Sequence, residues 1–132
     1  MTINSVVEAL LDISIYNIYI KPLKLKKTMA DFKLDGRMKV KSLKAKFKEC
    51  FGATLRVYKS ESCKGAFADD NATLASIRAE GKKGGELVVG GNLKVGNFEK
   101  KIAELYGIGV QVANADDSKL ADNDITLVAA GK

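Results

Sequence analysis

The residues best suited to chemistry in this chain are cations. Arg37, Lys39, Lys41, Lys44, Lys46 and Lys48 crowd positions 37–48. On helical geometry Lys41, Lys44 and Lys48 share one flank. Such a flank can hold a phosphate backbone or an acidic protein face. The plainer reading is a solvated face that keeps the chain soluble. Like charges four residues apart, as at Lys44 and Lys48, cost a helix about 0.2–0.5 kcal/mol. Lys in place of Arg, and few exposed aromatics, weigh against nucleic acid.

The other polar groups offer less. There is no His and no Trp. That removes the commonest general base, the commonest zinc ligand and every Ser–His or Cys–His nucleophile pair. Cys50 and Cys63 fit no metal or redox spacing. Cys50 falls on an apolar stripe and reads as a core thiol. Cys63 falls in a loop with Lys59 and Lys64, cations that can lower a thiol pKa, yet it reads as an ordinary exposed thiol. One thiol inside and one on a loop suit a reducing compartment, the cytoplasm. Asp69-Asp70-Asn71 and Asp122-Asn123-Asp124 are oxygen-rich, but neither has EF-hand spacing or a following bidentate Glu. Asx turns account for both. The stretch Gly81–Glu86, GKKGGE, is basic and Gly-rich. A phosphate-cradling loop runs into a helix; a strand pattern follows here, so the stretch reads as a linker. No catalytic residue, cofactor or metal is expected. An enzyme would have to work with carboxylates or Lys alone.

These groups must be held by something, and an internal repeat organises the chain. At an offset of 55, residues 32–58 fall on residues 87–113 with seven identities: Gly36/Gly91, Lys39/Lys94, Val40/Val95, Lys46/Lys101, Glu49/Glu104, Gly52/Gly107 and Val57/Val112. After a loop two residues shorter in the second copy, Ala68, Asp69, Thr73 and Leu74 meet Ala121, Asp122, Thr126 and Leu127. Two copies are too few for an open solenoid, so they should pack on each other.

Each copy spells the same elements. Leu43, Phe47, Cys50 and Phe51 recur at helical spacing, as do Phe98, Ile102, Leu105 and Tyr106. Ser42 and Asn97 stand where an N-cap belongs, and Gly52 and Gly107 where a left-handed C′ residue belongs. Leu55 and Val57, and likewise Val110 and Val112, alternate with polar or small residues as strands do. Further strands are expected at residues 72–77 and 125–130. Ahead of each helix, Asp35-Gly36 and Gly90-Gly91 are hairpin signals. A three-residue turn over residues 35–37 pairs Leu34 with Met38 and keeps one face buried.

The chain has 132 residues, 46% of them hydrophobic and 29% charged, with a net charge of +6. That suits one globular domain with a core of its own. The charge is uneven. Residues 29–84 hold thirteen Lys and Arg against seven acids, and residues 85–132 hold five Lys against seven acids. A dipolar molecule points as readily to self-association as to polyanions. Residues 1–28 fit no repeat position. Their apolar run, residues 6–20, is broken by Glu8 and Asp12 and followed by its positive charges. It fits neither a signal peptide nor a spanning helix. Two readings stay open: a start at Met29 with a non-native or disordered extension before it, or a short helix over residues 6–11 docked on the domain.

The expected fold is therefore α+β: two tandem ββαββ (or βαββ) repeats packed as one pseudo-two-fold domain, with antiparallel sheet under two amphipathic helices. That order is shared with ubiquitin-like β-grasp folds, a similarity of topology that transfers no function. The expected divisions are an extension over 1–30, repeat one over 31–80, a linker over 81–85 and repeat two over 86–132. The expected function is a non-catalytic cytoplasmic binding module acting through protein contacts, without membrane contact, as a monomer or weak homodimer. The alternative is nucleic acid or another polyanion bound through Arg37, Lys39, Lys41, Lys44 and Lys48.

Overall fold

Two long helices are bounded by their glycines. A computed structural model describes residues 31–132; the proposed extension and its alternative start lie outside the described residues. Helix α1 spans Val40–Phe51 and ends at Gly52, whose φ of 79° only glycine adopts without strain. The second long helix, Val95–Tyr106, ends the same way at Gly107, φ 68°. Their N-termini are built differently from expectation. Ser42 and Asn97 lie inside the helices, and Lys39 and Lys94 occupy the cap positions without a side-chain cap bond. The orphan N–H groups find carbonyls from a distant turn instead. Val40 N and Lys41 N donate to Ala72 O and Asp70 O, at 2.8 and 3.0 Å. Val95 N and Gly96 N donate to Ile125 O and Asn123 O, at 2.9 and 3.0 Å. Two of the first N–H groups of each helix are thus satisfied without a side-chain cap.

Those turns lead into helices where strands were expected. Leu74–Ile77 and Leu127–Ala130 are each one helical turn. Thr73 Oγ1 accepts from Ser76 N at 3.2 Å, and Thr126 Oγ1 from Ala129 N at 3.2 Å. A Thr before four apolar or small residues satisfies both a strand pattern and an N-cap. The cap wins because only a single bridge residue, Lys39 for Thr73 and Lys94 for Thr126, offers it a ladder.

In chain order the described elements are β1 (Phe32–Leu34), α1, β2 (Thr54–Tyr58), α2 (Leu74–Ile77), β3 (Leu87–Val89), α3 (Val95–Tyr106), β4 (Gly109–Ala113) and α4 (Leu127–Ala130). Neither hairpin ahead of a long helix forms. Met38 N closes a turn onto Asp35 O at 3.2 Å, and Leu34 pairs with Leu87 instead of Met38. Each half thus reads βαβα, neither ββαββ nor βαββ. The β-grasp order fails with it, since that order needs a hairpin before the helix. The strands pair across the halves: β1 with β3, antiparallel, and β2 with β4, antiparallel.

The described chain is a small α+β domain with two two-stranded antiparallel sheets and four helices. One core runs through it. Leu43, Phe47, Cys50 and Phe51 from α1 meet Phe98, Ile102 and Tyr106 from α3, above the inward pairs Leu55–Val112 and Val57–Val110. Phe47 stacks tilted on Phe98 at 5.4 Å between ring centroids and edge-on to Phe51 at 5.1 Å. Leu105, expected on the stripe, is only half-buried.

Candidate interaction surface

The basic cluster is divided by the fold. Arg37 sits in the turn after β1, its side chain 92% exposed, with a loose 3.5 Å contact to Asp35 Oδ2. Lys39 caps α1, and Lys41 lies in its first turn; both are exposed. Cations there oppose the helix dipole, and α1 has no acid in its first turn to offset them. They do not serve helix stability. Lys46 is exposed farther along α1.

Lys44 and Lys48 have structural work. Lys44 Nζ is 2.8 Å from Asp70 Oδ1. The same Asp70 gives its backbone carbonyl to Lys41 N, so one residue fixes the start of α1 twice. Lys48 Nζ donates to Ala115 O and lies 3.5 Å from Thr54 Oγ1, which itself donates to Ala115 O at 3.2 Å. That contact ties α1 to the loop after β4. The cations left facing solvent without an acidic partner among the described residues are Lys39, Lys41 and Lys46.

An aromatic stands beside this flank. Phe67 is 60% exposed, its ring 4.9 Å from that of Tyr58. Tyr58 is held by its hydroxyl, which donates to Gln111 Oε1 at 2.8 Å. A shallow cavity of about 210 Å³ lies among Lys44, Arg56, Phe67 and Asp117. Arg56 Nε is paired to Asp117 Oδ1 at 2.8 Å. Sequence reasoning missed Phe67, having expected few exposed aromatics. The sequence alignment set Phe67 against another apolar residue, Leu120, which gave no sign of exposure; Leu120 is also exposed, at 44%. Each forms a single bridge to one outer edge of the β2–β4 pair, Phe67 to Tyr58 and Leu120 to Ala113. A larger open cavity, about 500 Å³, is lined by Leu120, Ile125, Ala129, Lys119 and Lys132 among others.

The remaining groups settle into structural places. Cys63 is half-buried at φ 60°, its Sγ 3.8 Å from Val110 O. Burial pushes its thiol up from the ordinary value, and the nearby Glu99 carboxylate adds to the effect. The thiol expected to be exposed is thus half-buried, and its shift runs opposite to activation by a cation. Burial also raises the Glu99 carboxyl, partly offset by a hydrogen bond from Val112 N at 3.3 Å. Asp69 Oδ1 accepts from Asn71 N at 3.0 Å, an Asx turn. Among the described residues no group of three or more His, Cys, Asp or Glu could hold a metal ion. The Gly81–Glu86 stretch runs into β3 and packs on the end of α3: Gly84 N donates to Leu105 O at 2.7 Å, and the Tyr106 hydroxyl donates to Gly85 O. Among the described residues no helix is long and apolar enough to cross a membrane. No known protein family, curated protein or solved structure matches this chain.

Proposed function

We propose that this chain is a non-catalytic binding module that works through protein–protein contacts in the cytoplasm. The observation that carries the reading is the set of large apolar side chains outside a filled core. Phe67 and Val88 are each 60% exposed, and Leu120 44%. None is needed to fill the interior, where Phe47, Phe98, Leu43, Ile102 and Tyr106 are fully buried. Each stands at or beside a strand of one of the two small sheets, where an exposed apolar side chain can meet a partner. Two thiols held apart, Cys50 inside and Cys63 half-buried, favour a reducing compartment. The test is affinity capture from the source cytoplasm with wild type and with Phe67→Ser/Leu120→Ser. Capture should be lost in the variant at unchanged thermal stability. Equal capture by both sinks the reading.

The module is built, on this reading, from a duplicated unit of about 50 residues (31–80 and 86–132) joined by residues 81–85. The pairings support this. Shifting by 55 turns Phe32↔Val89 into Leu87↔Leu34, and Thr54↔Ala113 into Gly109↔Tyr58, so each register maps onto itself about a pseudo-two-fold axis.

A second reading, polyanion binding, is favoured by one observation: Arg37, Lys39 and Lys41 crowd the dipole-positive end of α1 without stabilising it. Lys44 and Lys48, committed to Asp70 and Ala115, are its weaker members. Elution of Arg37→Gln/Lys39→Gln/Lys41→Gln from heparin at much lower salt than wild type would support it. Wild type that fails to bind heparin at physiological salt ends it.

A further inference from the structure

We propose that two copies of this chain pair edge to edge through β3, making a four-stranded sheet from two two-stranded ones. This deepens the protein-contact reading by naming the partner. The β1–β3 pair is only three residues long on each side. Two short strands are marginal as a sheet, and a third or fourth strand stabilises them. Among the described residues, no backbone hydrogen bond from outside the pair reaches Leu87, Val88 or Val89, or their partners on β1. Among those residues both outer edges are thus open to a further strand.

Charge selects which edge. Unpaired edges are normally guarded by charge, Lys above all. β1 carries that guard, with Lys33 between Asp31 and Asp35. Pairing β1 with its own copy about Lys33 would set two Lys directly opposite, which is unfavourable. β3 reads Glu86-Leu87-Val88-Val89-Gly90, with no charge on its central three residues. Its middle residue, Val88, is 60% exposed. An antiparallel pairing centred on Val88 sets Val88 against Val88 of the second copy, about 4.5–5.5 Å apart at Cα. Each Glu86 then faces the second copy's Gly90 and keeps its own Lys33 at 3.6 Å. The two Glu86 carboxylates sit four residues apart, about 13 Å, beyond a screening length of about 10 Å at 0.1 M salt. The arrangement is isologous and closes at two copies. A β1–β3 contact between copies would leave an edge open at each end and propagate. Strands this short bury less than the roughly 1,000 Å² of a stable interface, so the dimer is weak and concentration-dependent.

Sedimentation equilibrium of the full chain from roughly 10 μM to roughly 1 mM, the range of weak interfaces, tests this. The weight-average mass should climb from monomer toward dimer. Val88→Lys rebuilds the guard on an exposed position and should raise the dissociation constant at least about tenfold. Val88→Cys in a Cys63→Ser background should form a covalent dimer under mild oxidation, because about 4.5–5.5 Å between Cα atoms lies in the disulfide window. A wild type that stays monomeric throughout overturns the proposal. So does a dimer that Val88→Lys leaves unchanged and Val88→Cys does not cross-link. A monomer whose 87–89 amides are protected from hydrogen exchange assigns the edge to another segment of the same chain, and also overturns it. None of these outcomes touches the wider binding-module reading, which falls only if the Phe67→Ser/Leu120→Ser variant captures partners as wild type does.

Discussion

Replacing Gly109 by Ala should destabilise the domain and expose Cys63 at the same time. A Cβ at Gly109 would lie 2.5 Å from Cys63 Sγ, 2.6 Å from Ser60 O and 2.8 Å from Glu61 O. Contacts become ordinary near 3.4 Å, so the loop must retreat by the difference, 0.6 to 0.9 Å. Two of the three obstacles are backbone carbonyls, which no rotamer change relieves. Overpacking of this kind costs about 1–3 kcal/mol. Ala in a strand recovers roughly 0.5–1 kcal/mol of that through lower unfolded-state entropy. With two backbone obstacles the cost lies toward the upper end, so a net loss of up to about 2.5 kcal/mol follows, or on the order of 4 °C in Tm per kcal/mol for a chain of this size.

The local consequence is more diagnostic than the global one. Retreat of the 59–66 loop separates the Cys63 thiol from Val110 O, at 3.8 Å in the native structure. Reaction of native protein with a thiol reagent should therefore speed up at Cys63, while Cys50, buried in the core, serves as the internal standard. Cys63→Ala on top of Gly109→Ala removes one obstacle of three and should recover only part of the loss. Urea unfolding and timed alkylation supply both readouts. If Gly109→Ala keeps full stability and an unchanged Cys63 rate, the loop does not lie on β4 as described.

Three further outcomes are expected. Phe47→Ala and Ile102→Ala, at matched places on α1 and α3, should cost about 3–5 and about 2–5 kcal/mol by chemical denaturation; a near-neutral result at either would show that its helix is not seated on the shared core. Thr73→Ala should cost about 0.5–2 kcal/mol through its lost bond to Ser76 N, and Thr126→Ala a similar amount. Burial raises Glu99's folded pKa, so the proton is held more tightly folded than unfolded, and stability falls as pH rises from the ordinary glutamate value through the raised one. Glu99→Gln should flatten that decline in Tm-versus-pH scans, and a slope identical to wild type would remove Glu99 from the account.

The long helices were legible because each carries its signal locally: a stripe at helical spacing and a glycine whose positive φ stops the chain. Their starts were not. Ser42 and Asn97 are sound caps by residue type, but the helices start earlier, at Val40 and Val95, where the first two N–H groups of each are met by carbonyls 27–32 positions away in sequence, from Ala72 and Asp70 or from Ile125 and Asn123. No local rule sees such a partner. The same holds for Asp35-Gly36. The turn forms, yet β1 does not fold back on residues 38–40, because β3, 55 residues on, offers Leu34 a half-buried neighbour in Leu87. Hairpin rules weigh only the near partner. Thr73 and Thr126 failed for a different reason, since a β-branched residue that can also cap reads correctly only when its ladder is known.

The basic cluster shows how a fold can split a sequence motif into parts with different duties. Six cations within twelve residues read as one feature. In three dimensions Lys48 reaches the loop after β4, and Lys44 holds Asp70. Both tie α1 to segments far away in sequence, which explains their presence despite the cost of like charges on one helix flank. The aligned positions in α3, Glu99 and Ala103, have no such reach to make: Glu99 turns instead to the Val112 N–H of the adjacent strand. Arg37, Lys39 and Lys41, around the start of α1, have no such tie, and they are the cations that the polyanion reading would use. These residues oppose the helix dipole and support no contact in the core. Phe67 and Val88 are the apolar counterpart, spared by a core already filled from both halves. Substituting either group should therefore change binding before it changes stability, the reverse of the order expected for Lys44 and Lys48.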